Sequence, residues 1–117
     1  MMITIKKPNP ASQTSRRALN ISEWNDEVKA FVKDLTAFEF MVFRGEFQRY
    51  CNESKSSAER ADAAVSLAVM AIVGEDGQPL FTPEQIPELK EASFKPVTRL
   101  MAMLIDPDSK DDSLVKN

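Results

Sequence analysis

The sequence predicts a small α+β domain, mainly helical, with a small antiparallel β element, a flexible N-terminal arm and a C-terminal tail. Three observations lead to this reading. Thr36-x-x-Glu39 is a capping-box pair that opens an apolar-rich segment. Gly74-Glu75-Asp76-Gly77 separates two short apolar runs as a tight turn. Val97, Leu100, Met101 and Leu104 recur at i, i+3, i+4, i+7, the apolar stripe of a helix. At 117 residues, 43% hydrophobic and 28% charged, the chain has the length and composition of one packed domain.

Residues 1–20 read as an arm, because 6–20 hold two prolines and many small polar residues with no apolar period. Order is expected from Ile21. Between Glu27 and Leu35, Val28, Ala30 and Val32 alternate with Lys29, Phe31 and Lys33, which predicts a half-exposed strand. The capped helix then runs from Ala37 to about Asn52. On a wheel of 100° per residue, Phe40, Phe43, Phe47, Tyr50 and Cys51 gather on one side, and Phe38, Met41 and Val42 lie almost opposite. The first two turns are therefore apolar all round and need cover on two sides.

A polar connection, 52–57, leads to Ala58–Val73, where Ala61, Ala63, Ala64 and Leu67 suit a helix and Val69–Val73 suits a buried strand. A split near Ser66 is expected, followed by the turn and a short return strand over 78–81, with Pro79 confining that strand to an edge. Thr82-Pro83-Glu84-Gln85 starts a short helix limited by Pro87, and Ser93 is placed as the cap of a last helix that ends at Asp106-Pro107. The domain thus spans 21–105, and 106–117 reads as a disordered acidic tail.

Catalytic and cofactor chemistry finds few candidates. The chain lacks histidine, which excludes Ser-His and Cys-His pairs, a histidine base and histidine metal sites. Its one cysteine, Cys51, with no histidine, leaves a structural zinc site short of its usual ligands and is expected as a small buried side chain on the apolar face of the capped helix. Three glycines write no phosphate-cradling loop. Asp106–Asp112 begins like a calcium loop, but Lys110 and Asp111 stand where an acceptor and the turn glycine belong. Glu75-Asp76 and Asp26-Glu27 read as turn residues. The expectation is a protein that is not an enzyme and carries no cofactor or metal.

Charge and hydropathy narrow the partners. Residues 1–20 carry Lys6, Lys7, Arg16 and Arg17 without an acid, and residues 21–105 hold 14 acids against 9 bases. Four cations on an arm fall short of the dense basic face of a duplex binder, so no nucleic-acid partner is expected. The apolar runs are too short to cross a bilayer, and the opening Met1-Met2-Ile3-Thr4-Ile5-Lys6-Lys7 has the wrong order for a secretory signal, so a cytoplasmic protein is expected. Apolar side chains beyond one helix face mark Phe38, Met41, Val42, Met101 and Leu104 as candidate partner-binding residues.

The order of these features carries a resemblance. An arm precedes Glu23-Trp24, a strand, Leu35-Thr36 opening a helix, the Ala-rich Ala61–Val73, then Glu75-Asp76-Gly77-Gln78-Pro79-Leu80-Phe81-Thr82 and a final short helical pair. Over Ile21–Ile105 this resembles the tail assembly chaperones of long-tailed, siphovirus-type bacteriophages and prophages. The resemblance implies a non-catalytic protein of the host cytoplasm that binds the tape measure protein, assists tail tube assembly and is absent from the mature virion. The tail tube protein and self-association are further partners to test. It also implies a longer product made by ribosomal frameshifting, for which Val115-Lys116-Asn117 can be encoded as a slippery run of A. Two other classes compete. A small nucleic-acid-binding regulator would use the basic arm and lose binding steeply with salt, and a structural subunit of a virion or complex would persist in the finished particle.

Overall fold

The capping box and the first helix form as the sequence dictates. A computed structural model describes residues 17–106. In it helix α1 spans Ala37–Cys51. The Thr36 hydroxyl accepts from the Glu39 N–H at 3.1 Å and the Glu39 carboxylate accepts from the Thr36 N–H at 3.0 Å, satisfying donors that the first turn leaves open. At its far end the Asn52 side chain accepts from the Ser54 N–H and turns the chain. The short connection folds α2, Ser57–Ala71, back on α1.

Helix α2 does not break at Ser66. The Ser66 hydroxyl donates to the Asp62 carbonyl one turn back at 2.7 Å, so the residue is satisfied inside a helix. Ala63, Ala64, Leu67, Ala68 and Ala71 are buried, and α2 packs against α1 and α4. That packing outweighs the β preference of Val65 and Val69. Only Ile72–Val73 extends, as strand β3.

Strands β1, Arg17–Leu19, and β2, Ala30–Val32, complete a three-stranded antiparallel sheet in the order β1-β2-β3. The register pairs Leu19 with Ala30 and Val32 with Ile72. The strand expected over 27–35 is thus confined to its middle three residues. The folded unit also begins earlier than expected: β1 lies inside the stretch read as an arm, its Leu19 is buried, and Arg17 donates to the Asp106 carbonyl at 3.1 Å. The tight turn closes with the Gly74 N–H on the Gln78 carbonyl at 2.9 Å, and Gly77 alone takes a positive φ, 80°. The return strand is reduced to a single bridge between Val73 and Pro79 at the sheet edge.

A 3-10 turn, Pro83–Gln85, and α3, Ile86–Lys90, lead to α4, Lys95–Ile105. Ser93 stands one residue before the N-cap position, and its hydroxyl accepts from the Lys95 N–H at 3.2 Å. Val97, Leu100, Met101 and Leu104 all face the core, together with Leu19, Val32, Phe43, Leu67 and Ile72. The fold is therefore the small, mainly helical α+β domain expected, and no described helix is long and apolar enough to cross a membrane. The tail beyond Asp106, with the Val115-Lys116-Asn117 tripeptide and most of the calcium-loop-like run, and the first sixteen residues lie outside the described residues.

Candidate partner-binding surface

Among the described residues, helix α1 is covered on one side only. Its inner side forms a ladder of rings from Phe40 to Phe43, Phe47 and Tyr50, with centroids 5.8, 5.7 and 6.3 Å apart, and Phe94 stacks on Tyr50 at 5.9 Å. Such spacings suit offset aromatic packing. On the opposite side Phe38, Met41 and Val42 remain 76%, 60% and 40% exposed. Gly45 continues that outward stripe at i+7 from Phe38, and a Cβ added there would meet no atom within 4 Å. The stripe is thus apolar along its first two turns and bare at the third, which lets a second backbone approach closely.

Three of the five candidate residues stand on this face, and two do not. Met101 and Leu104 are buried in the main core, because the i, i+3, i+4, i+7 stripe of α4 points inward against α2 and β1. Neither belongs to the exposed stripe of α1, and Leu104 reaches the surface only as the wall of a groove. Cys51 is likewise corrected, since it is exposed at the end of α1 and not buried on its apolar face. Phe40, Phe94 and Ile105, which were not candidates, are exposed. Phe40 and Ile105 line a shallow groove of about 250 Å³ between α1 and the end of α4, with Phe43, Phe47 and Leu104 as its walls. Phe40 falls on the ring-ladder side of the wheel, so only its neighbours in three dimensions reveal that it is half open.

Charged residues border the stripe and fix the helix that carries it. Lys33 pairs with Glu39, and Arg49 donates to Glu46 at 3.0 Å. Burial works to raise the Glu39 carboxyl, but bonds from Lys33 and the Thr36 backbone outweigh it and hold the group below the usual carboxylate range. Away from α1, Glu23 receives a forked bond from Arg99, which holds its carboxyl down at about 2. This pair joins α4 to the loop after β1, and the Trp24 indole donates to the Ser93 carbonyl at 2.7 Å in the same joint.

The carboxylate pairs behave as turn and surface groups. Asp76 accepts from the Gln78 N–H at 3.0 Å inside its turn, Glu75 stands 3.9 Å from Lys29, and Asp26 and Glu27 are exposed. Among the described residues there is no cluster of three or more acidic or cysteine side chains placed to hold a metal ion. The arrangement on α1 can bind apolar surface, and it offers no nucleophile–base pair. No family model matches the chain, and neither a curated protein nor a solved structure matches it.

Proposed function

We propose that the protein is a non-catalytic tail assembly chaperone of the long-tailed phage type, which binds the tape measure protein and assists tail tube assembly in the host cytoplasm. The observation that carries the binding part is the outward stripe of α1, where Phe38, Met41 and Val42 stand exposed on a well-capped helix. Exposed large apolar groups grouped on one element mark a contact surface more than scattered ones do. The phage assignment is supported by the ordered resemblance over Ile21–Ile105. A long amphipathic partner would lay its apolar stripe along α1, with the methionine adapting to irregular side chains.

The test is co-expression with the tape measure protein of the same phage or prophage. The unmodified chain should co-purify with it, and the double variant Phe38→Ser, Met41→Ser should not, while keeping a cooperative thermal transition. Retention of the partner by the folded double variant would remove this surface from the reading. Recovery of the protein from purified, finished particles would favour a structural subunit instead.

A further inference from the structure

The groove between α1 and the end of α4 has its apolar walls on the ring-ladder side of α1 and its polar rim, Arg44 and Gln48, along the Met41 edge of the outward stripe. We infer that it receives one apolar side chain of an acidic amphipathic helix of a partner, whose carboxylate Arg44 holds. This rests on the reading of the chain as a binding protein, but on the groove beside the stripe and not on the stripe itself. The groove measures about 250 Å³ and is walled by Phe40, Phe43, Phe47, Leu104 and Ile105. It is smaller than the roughly 300–1,000 Å³ of pockets that enclose drug-sized ligands. A leucine or phenylalanine side chain fits within it with room to spare.

Its rim supplies the sign of the partner's charge. Arg44 and Gln48, one turn apart on α1, are the polar residues lining it. Neighbouring cations are paired, Lys33 with Glu39 and Arg49 with Glu46. Arg44 is exposed and has no ion pair or hydrogen bond to any described residue, although the whole chain carries a net charge of −3. A guanidinium fork beside an apolar slot matches a carboxylate placed about one helical turn, ~5–6 Å, from an apolar anchor. A second copy of this chain does not supply that group on the same patch. A two-fold contact would bring Arg44, Gln48 and the same apolar walls to face themselves, with no carboxylate among the groove residues.

The test uses the full chain and two fluorescein-labelled 18-residue helical probes. Both carry leucines at i, i+3, i+4, i+7, and one has glutamate, the other lysine, a turn from the central leucine. Fluorescence polarisation should show the glutamate probe bound roughly tenfold tighter than the lysine probe. Arg44→Glu should reverse that preference. Ile105→Asp should weaken both probes, and its melting temperature should stay native because Ile105 is largely exposed. Phe38 lies about a third of a turn from Arg44 and outside the groove lining, so Phe38→Ser should bind the probes as the unmodified chain does, while the double variant Phe38→Ser, Met41→Ser loses the tape measure protein.

Equal affinity for the two probes, no binding of either, or indifference to Arg44→Glu would overturn the inference. Probes lost in Phe38→Ser but kept in Arg44→Glu sit on the outward stripe, which sinks the groove and leaves the proposed function standing. A dimer in sedimentation equilibrium that Arg44→Glu converts to monomer would make the occupant a second copy, and would overturn the assignment to a foreign helix.

Discussion

Leu104 and Phe38 read alike in the sequence and should behave oppositely in the folded chain, which makes their alanine variants a direct measure of the architecture. Leu104 is 5% exposed, in the main core. Leucine-to-alanine changes in cores cost from about 2.7 to 5 kcal/mol, and the low end applies here because the groove beside Leu104 lets its neighbours relax into the space. A loss of about 3 kcal/mol lowers the melting temperature of a domain this size by roughly 12–20 °C. Phe38 has little to lose on truncation, and alanine has the better helix propensity, so Phe38→Ala should stay within about 3 °C of the parent. Circular dichroism melts at 222 nm, each checked for a single transition, supply the comparison. Equal losses from the two variants, or a larger loss from Phe38→Ala, would refute the assignment of inner and outer faces.

Three further perturbations test other joints. A chain beginning at Asn20 loses the Leu19 burial, the β1–β2 ladder and the Arg17 bond to Asp106, about 2–4 kcal/mol together, and should melt more than about 8 °C lower; a shift under 3 °C would mean that β1 contributes nothing. Gly45→Ala fills open space in a helix interior and should stabilise by about 0.8–1 kcal/mol in denaturant titration, whereas a loss would show that something covers that position in the free protein. For the Glu23–Arg99 pair, the folded carboxyl lies at about 2 against an ordinary 4.5. Its contribution is therefore complete above the ordinary value and disappears as pH falls toward the folded one. Solvent screening limits it to about 1 kcal/mol, so Glu23→Gln should be less stable by that amount at pH 6 and indistinguishable from the parent near pH 2. A difference that does not change with pH would rule out the ion pair as its source.

Local chemistry was legible where it was decided within one turn of chain. The Thr36 and Glu39 capping box, the glycine turn and the periodic apolar stripe of α4 each depend on residues three to seven apart, and each forms as read. The direction in which that stripe faces could not be read, since Met101 and Leu104 turn inward. What depended on distant partners was not legible. Ser66 looked like a break because its hydroxyl competes with helical hydrogen bonds, and only the burial of α2 against its neighbours shows that the helix continues. Arg17–Leu19 has the composition of an arm and becomes a strand because Ala30–Val32 offers an edge and α4 a surface.

The candidate surface shows the same division most sharply. A wheel separates Phe38, Met41 and Val42 from Phe43 and Phe47, but it cannot say which side α2 will cover, since both sides are apolar enough to be buried. The choice is made by the Ala-rich face of α2, whose small side chains admit the large rings of the inner ladder. Once Phe43 is seated there, the 3.6-residue repeat places Phe38, Met41 and Val42 outside, with no described element left to cover them. The core and the proposed docking stripe therefore come from one packing decision. Ala64 on α2 is fully buried in the same core cluster as Phe43. Ala64→Leu should therefore overpack that cluster, lower the melting temperature and weaken binding at the outward stripe and at the Arg44 groove together, although Ala64 itself is not exposed to solvent. A variant that binds normally at both would refute the shared origin.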